Sequence, residues 1–208
     1  MIFTELKESE FVNEIMEKFR QQEGWEFTTS HNDVFRLVEA VRATKDVEGD
    51  VAEVGVYKGG SAAMICEVKG DKTIHLFDTF QGLPKLGRYD KDTDYAQGQY
   101  AADIKSVRKR LESYSNVYFY KGLFPKTGEP IKNKKFSLVH LDLDLYKSTL
   151  DALKFFWPRM NPRGIIISHD YQVDKSFPQG VFKAFAQYFK GTQKIYSELG
   201  TKQAIVIK

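Results

Sequence analysis

Val51-Ala52-Glu53-Val54-Gly55-Val56-Tyr57-Lys58-Gly59-Gly60-Ser61 is the stretch on which the fold turns. Val51 to Val56 reads as a short buried strand, Tyr57-Lys58-Gly59-Gly60 as a small-residue turn, and the chain from about Ser61 to Val68 as a helix. Glycines at such a junction let a ligand come close to the backbone, and the helix start offers unpaired N–H groups. The spacing departs from the dinucleotide fingerprint G-x-G-x-x-G, because Tyr57 stands where its second glycine would be. A P-loop's closing Gly-Lys-Ser/Thr is missing too. Glu53, two residues before Gly55, would repel a pyrophosphate but suits a cationic group such as the amino end of a methionine moiety. The next strand, Thr73 to Asp78, ends on an acid placed to accept from both ribose hydroxyls of a nucleoside. A plainer reading stands beside this one: the glycines only permit tight strand–helix packing, and Asp78 caps a turn.

Outward from this unit the chain keeps alternating. Towards the N-terminus, residues 7–22 carry Phe11, Ile15, Met16 and Phe19 at helical spacing. A helix over about 32–44 puts Val34, Leu37, Val38 and Val41 on one face, with Asn32 or Asp33 as its cap. Towards the C-terminus, residues 79–100 show no periodicity and many turn formers, the mark of a surface excursion that is either functional or mobile. A helix over about 101–113, a strand Val117 to Tyr120 and the strongly apolar strand Phe136 to Leu141 follow. A helix over about 148–159 then leads through Asn161-Pro162-Arg163-Gly164 into strand Ile165 to Ser168. After a helix over about 179–189 come two strand-like pieces, Lys194 to Ser197 and Ala204 to Ile207, joined through Leu199-Gly200-Thr201. The alternation predicts an α/β fold with a mostly parallel sheet covered on both faces, and the short last turn predicts an antiparallel final strand.

The chain's 208 residues suit one domain. We expect that domain over 31–208, preceded by an N-terminal helical extension over 1–30. The net charge of +3 comes from 31 Lys and Arg against 28 Asp and Glu, interleaved along the chain, which argues against a nucleic-acid partner. The single cysteine, Cys66, excludes an internal disulfide and a cysteine zinc cluster. The first residues turn charged by Lys7 and Glu8, and no apolar run approaches the roughly 18 residues of a membrane span. The expectation is a cytoplasmic protein with no membrane partner.

Two further groups carry chemistry. His140-Leu141-Asp142-Leu143-Asp144-Leu145-Tyr146 follows one buried strand, and Ser168-His169-Asp170-Tyr171 follows the next. In an open parallel sheet ligands gather at the carboxyl ends of the strands, so both acid groups should face the crevice of the glycine turn. Carboxylates brought together repel unless a cation or proton separates them, and oxygen ligands of this kind suit Mg²⁺. Asp142 and Asp170 read as functional strand-end acids, and Asp144 reads better as the cap of the following helix. His140, inside the apolar strand, reads as a hydrogen-bonded core residue. His169 divides between a functional and a structural role. His31 and His75 have no local companions.

These residues resemble the macrocin O-methyltransferase family: Gly49 through Ser61, then Phe77-Asp78-Thr79-Phe80-Gln81-Gly82-Leu83-Pro84, then His140 through Tyr146. The resemblance runs from about residue 31 to the end. It implies a Rossmann-like class I methyltransferase fold of seven strands, one antiparallel near the C-terminus, with helices on both faces. It also implies transfer of a methyl group from S-adenosyl-L-methionine to a hydroxyl of a sugar or small hydroxylated metabolite, with Mg²⁺ in the characterised members. The cofactor-binding residues it implies are Glu53, Gly55, Gly59, Gly60 and Ser61 at the methionine end, Asp78 at the ribose and Gly122 and Phe124 near the adenine, with Tyr57, Thr79 and Asp142 also on the cofactor. The metal ligands are Asp142, His169 and Asp170. His169 stands where the family usually carries an aspartate, and imidazole shifts preference from Mg²⁺ towards Mn²⁺, Fe²⁺ or Zn²⁺.

The expected chemistry is in-line attack of a hydroxyl on the sulfonium methyl, with Asp142 or His169 as the catalytic proton acceptor. Residues 85–100, with Arg88, Tyr89, Asp90, Asp94, Tyr95 and Tyr100, form either a substrate-covering lid or a solvent loop. Two rival functions share the fold. An NAD(P)-dependent oxidoreductase is disfavoured by Glu53 and the missing fingerprint; a non-catalytic S-adenosylmethionine-binding module is favoured only by His169. The sequence is compatible with a homo-oligomer.

Overall fold

The computed structural model describes residues 2–21, 30–91, 93–174, 178–197 and 201–208. Its centre is a seven-stranded sheet of order β3-β2-β1-β4-β5-β7-β6. The strands are β1 (Asp50–Val54), β2 (Ile74–Asp78), β3 (Val117–Lys121), β4 (Phe136–Leu141), β5 (Met160–Ser168), β6 (Ile195–Ser197) and β7 (Ala204–Ile207). The pairs β1–β2, β1–β4, β2–β3 and β4–β5 are parallel, and β7 runs antiparallel between β5 and β6. That is the expected sheet, with the antiparallel strand where the short last turn put it.

Among the described residues six α-helices accompany the sheet: α1 (Ile2–Arg20), α2 (His31–Ala43), α3 (Gly60–Val68), α4 (Ile104–Arg110), α5 (Tyr146–Phe156) and α6 (Gly180–Phe189). On one face Val12, Ile15, Met16 and Phe19 of α1 join Val34, Leu37, Val38 and Val41 of α2 over Val51, Leu76, Leu138 and Ile167. On the other, Leu153 and Phe156 of α5 and Val181, Phe185 and Phe189 of α6 pack on Val54, Phe77, Val139 and Ile166. Every residue of β4 is buried, as a central strand with covered faces requires.

Several boundaries differ from the sequence reading. The helix read over 7–22 is α1, whose described part ends at Arg20, and residue 22 lies outside the described residues. The cap of α2 is Ser30 rather than Asn32 or Asp33: its hydroxyl accepts from the Asp33 N–H, and the Asp33 carboxylate accepts from the Ser30 N–H in return. Strand β5 starts at Met160, five residues earlier than read. Phe136 pairs with Met160 and Leu138 with Ile165, so Asn161-Pro162-Arg163-Gly164 bulges out between two paired positions. Leu199 and Gly200 of the last turn lie outside the described residues.

Candidate active site

A cavity of about 400 Å³ opens above the carboxyl ends of β1, β2, β4 and β5. The sheet order reverses between β1 and β4, and crevices in open α/β sheets form at such a switch. Of the implied cofactor residues, Gly55, Tyr57, Asp78, Thr79, Gly122, Phe124 and Asp142 line it.

At the β1–β2 end the wall is largely backbone. Gly55 sits at φ +92°, and a Cβ there would lie 1.7 Å from the Asp142 carbonyl oxygen. The glycine thus lets the ends of β1 and β4 meet, with the Asp142 N–H donating to the Val54 carbonyl (2.9 Å). The Asp78 carboxylate accepts from the N–H groups of Val56 (2.7 Å), Tyr57 (2.8 Å) and Phe80 (2.6 Å). Three of its roughly four acceptor sites are therefore taken by the turn it organises. The plainer reading of Asp78 as a turn cap and its place on the cavity wall both hold.

Glu53 is elsewhere. It is wholly buried on the α2–α3 face of β1, with Oε1 2.8 Å from His140 Nδ1 on the neighbouring strand. Glu53 Oε2 and His140 Nε2 find no partner among the described residues. The expectation that Glu53 meets the cofactor is corrected by strand alternation: Val54 faces the other side, and only the strand's end reaches the cavity. His140 is the core residue expected. Gly59, Gly60 and Ser61 do not line the cavity either. A Cβ on Gly59 would come within 3.0 Å of Val107 in α4, so that glycine serves helix packing. Beyond β3, Gly122, Leu123 and Phe124 close the opposite side. Phe124 stacks on Phe156 with ring centroids 5.2 Å apart.

At the β4–β5 end the wall is side-chain charge. His169 Nδ1 lies 3.2 Å from Asp170 Oδ2 and 3.4 Å from Asp142 Oδ1, and its Nε2 lies 3.7 Å from Asp33 Oδ2. Burial of the ring opposes its charge, but Asp142, Asp170 and Asp33 overcome this and hold the imidazole far above its ordinary range. Asp142 answers in kind: burial, the largest single influence, raises its carboxyl, but His169, with His140 and Asp170 adding to it, brings it below the usual value. Asp144 does the opposite. Burial, then Asp170 and Asp142, raise it well above its ordinary range, with the Tyr95 hydroxyl bonded to it.

The reading of Asp144 as a helix cap is therefore corrected. The first amide of α5, at Tyr146, donates to Asp90 Oδ1 (2.9 Å). Asp90 is fully buried and also accepts from the Gly87 N–H through Oδ2 (3.2 Å). Segment 85–100 is thereby anchored to α5 at Asp90, while Asp94, Tyr95 and Tyr100 reach the cavity. Arg88 and Tyr89 stay outside it, with the Arg88 guanidinium over the Tyr89 ring at 4.5 Å. Sequence reasoning also missed Lys202 on the wall and Asp33 behind His169. Only a contact between distant segments brings those two there.

The ligand atoms of Asp142, His169 and Asp170 all lie within 4.8 Å of one another, close enough to converge on one cation. Two carboxylates and an imidazole make a donor set for a first-row divalent ion, and the residues fit. The glycine turn, Asp78 and the Gly122–Phe124 wall leave a cleft of the size and lining that a nucleoside ligand needs.

The tetracenomycin-C 4'-O-methyltransferase of Streptomyces olivaceus that acts on the 8-demethyl-8-(2,3-dimethoxy-alpha-L-rhamnosyl) compound is 33% identical over 143 residues, covering 62% of this chain and 55% of that one. The mycinamicin III 3''-O-methyltransferase of Micromonospora griseorubida is 30% identical over 142 residues, covering 60% of this chain and 56% of that one. The matches thus span little more than half the length of these relatives. Among solved structures, the calicheamicin methyltransferase CalS11 matches with a TM-score of 0.76 at 17% identity, over 97% of this chain and 91% of that one. The O-methyltransferase NovP matches with 0.69 at 21% identity, over 86% and 80%. Likeness at that identity speaks for the fold, which is that of the class I methyltransferases. The family model described as macrocin-O-methyltransferase (TylF) matches residues 30–205, and the chain belongs to that family.

Proposed function

We propose that this chain is an S-adenosylmethionine-dependent O-methyltransferase acting on a hydroxyl of a small metabolite, a sugar hydroxyl first among them. The observation that carries the reading is the junction of two unlike walls in one cavity. A nucleoside-sized cleft at the β1–β2 end runs directly into a cluster of three acids and a histidine at the β4–β5 end. Bound S-adenosylmethionine would supply an electrophilic methyl group, and a divalent ion on Asp142, His169 and Asp170 would supply Lewis acidity towards the acceptor hydroxyl. The relatives named for rhamnosyl-tetracenomycin and mycinamicin substrates support a sugar acceptor.

In this arrangement Tyr57, Asp78 and Thr79 hold the ribose side, and Gly122 and Phe124 the adenine side. Asp142 sits at the meeting point, on the end of β4 that Gly55 touches. Its place lets one residue face both ligand and acceptor. His169 would hold the ion through Nδ1, the nitrogen that faces the cavity acids, so it has no free nitrogen there to take the hydroxyl proton. Asp144, on the same wall, would take the hydroxyl proton in its ionised form, and its raised proton affinity makes that form a stronger base than an ordinary carboxylate. Tyr95 and Tyr100 roof this end, which gives an acceptor ring an apolar face to lie against. We take residues 31–208 as the methyltransferase unit, 1–30 as a helical extension, and the cytoplasm as its compartment; among the described residues no helix is long and apolar enough to cross a membrane.

Calorimetric titration with S-adenosylmethionine, S-adenosylhomocysteine and NAD, followed by a methyl-transfer assay over a panel of deoxysugar acceptors including TDP-rhamnose, tests the reading. Binding of the first two, not the third, and transfer that falls at least about 100-fold in Asp144→Asn are expected. Equal binding of NAD would overturn it.

A further inference from the structure

We propose that Asp33 is a positioning residue for the cation site: it holds the Nε2 side of His169, so that Nδ1 is aimed between Asp142 and Asp170 as a nitrogen ligand for Mn²⁺. The proposal rests on the reading that a divalent ion binds there.

Asp33 belongs to α2, far from β4 and β5 in sequence, and it is only 3% exposed. Its carboxylate is clamped before it meets the histidine. Oδ2 accepts from the Ser30 hydroxyl (2.6 Å), and Oδ1 lies 3.4 Å from the Lys202 N–H that donates to it. Its own carbonyl accepts from Gln203 Nε2 (3.0 Å), which ties the start of α2 to the segment leading into β7. A carboxylate fixed at both oxygens is a rigid stop for the ring beyond it. The ring is held from the other end by its backbone, whose N–H donates to the Leu141 carbonyl (2.8 Å).

Imidazole has two nitrogens, and the group facing one decides which role the other can play. Here Nε2 faces Asp33 at 3.7 Å, an ion-pair rather than a hydrogen-bond distance, and Nδ1 faces the two cavity acids at 3.2 and 3.4 Å. An ion entering between Asp142 and Asp170 would displace the proton from Nδ1, and the proton kept on Nε2 beside Asp33 then leaves the Nδ1 lone pair for it. This is how an outer carboxylate fixes the tautomer and orientation of a ligating histidine. Without Asp33 nothing in that position would set the tautomer, and the neutral ring could turn its N–H towards the ligand site.

Asp33 also completes the capping box of α2, so the test must separate the two jobs. Mn²⁺ alone is titrated into the full chain, with free ion counted by electron paramagnetic resonance and bound ion examined by spin-echo modulation for coupling to nitrogen. Wild type, Asp33→Asn, Ser30→Ala, His169→Asp and the Asp33→Asn/His169→Asp double variant are compared, with melting curves confirming that each is folded. We expect Asp33→Asn to weaken Mn²⁺ about 10–100-fold and to lose the nitrogen coupling. Ser30→Ala removes the cap hydroxyl and one bond of the clamp but leaves the carboxylate and its Lys202 contact, so its loss of affinity should be clearly smaller than that of Asp33→Asn, with the coupling kept. In the His169→Asp background Asp33→Asn should change affinity less than about threefold, since Asp33 then has no ring to orient. Equal Mn²⁺ binding by wild type and Asp33→Asn would overturn the role of Asp33 while leaving the ion site intact. An equal loss in Ser30→Ala, or an undiminished effect of Asp33→Asn without His169, would overturn it as well. A wild type that binds no Mn²⁺ would overturn the ion site on which it stands.

Discussion

The β1–β2 end of the cavity and its β4–β5 end are built from different parts of the chain's chemistry. At the first, Gly55, Val56 and Tyr57 present backbone, and the one prominent acid, Asp78, spends its carboxylate on three backbone N–H groups. At the second, Asp142, Asp144, His169 and Asp170 present side chains to one another, and their charges shift the protonation of Asp142, Asp144 and His169. The difference separates two kinds of constraint. A substitution at the backbone end changes where atoms are, and one at the charged end changes what state they are in.

Gly55→Ala is the severest way to press that contrast. The new Cβ would sit 1.7 Å from the Asp142 carbonyl oxygen and 2.7 Å from its carbon, at a φ of +92° that L side chains rarely adopt. Neither obstacle can swing away, because both belong to paired strand ends. Loss of at least about 4 kcal/mol of stability in a denaturant melt, or no folded protein, is expected. Gly70→Ala is its control. Gly70 has φ +62° but nothing within 4 Å of the new Cβ, so only backbone strain of about 1 kcal/mol should appear. Similar losses in the two variants would remove the argument that the contact between β1 and β4 ends is what Gly55 provides.

Asp78→Ala comes next. It strips the acceptor from the Val56, Tyr57 and Phe80 N–H groups, two of which belong to buried residues. A loss of about 1–3 kcal/mol is expected, the usual cost of leaving such groups without their partner. The binding of S-adenosylmethionine, read by calorimetry, should weaken at least in proportion, because the turn it would lie on loosens. A stability loss with unchanged affinity would mean that Asp78 organises the turn and nothing more.

The same contrast explains which parts of the molecule were legible in the sequence. Gly55 and the acid closing β2 could be read because a backbone geometry dictates residue type locally. The apolar run of β4 could be read because burial on both faces leaves little choice of composition. That same burial hid the direction of Glu53: a strand apolar on both sides shows no alternation, and nothing local says which face the acid takes. Asp90 as the cap of α5 was invisible for another reason. It lies in a segment without periodicity, and the amide it serves is more than fifty residues away. Asp33 looked like a helix-start residue, which it is, and its second neighbour His169 arrives only through the packing of α2 against the end of β5. The bulge at Asn161 to Gly164 was read as a connector because Pro162 and Gly164 are breakers, although the strand resumes pairing on both sides of them.

Asp144→Asn gives the smallest effect on stability and the finest test of the charged end. In the folded chain the Asp144 carboxyl is raised well above its ordinary range by burial first, and then by Asp170 and Asp142. The folded state therefore binds a proton at this position more tightly than the unfolded chain, whose aspartates titrate near 3.9. Between those two values the folded state holds the extra proton, so the wild type loses stability as pH rises through that window. Asparagine is neutral throughout and nearly the same shape, so the variant lacks this loss. Melting temperatures of the two proteins should lie close together near pH 4.5 and separate as pH rises, with Asp144→Asn the more stable by pH 8. The gain in stability would accompany the loss in transfer expected of the same variant, which is what a group kept strained for chemistry should show. A difference that is flat from pH 4.5 to 8 would mean that Asp144 is ionised in the folded chain like an ordinary surface carboxylate. The acids at the β4–β5 end would then be spaced far enough apart to ignore one another, and the distinction between a backbone end and a charge-coupled end would fail at its more consequential half.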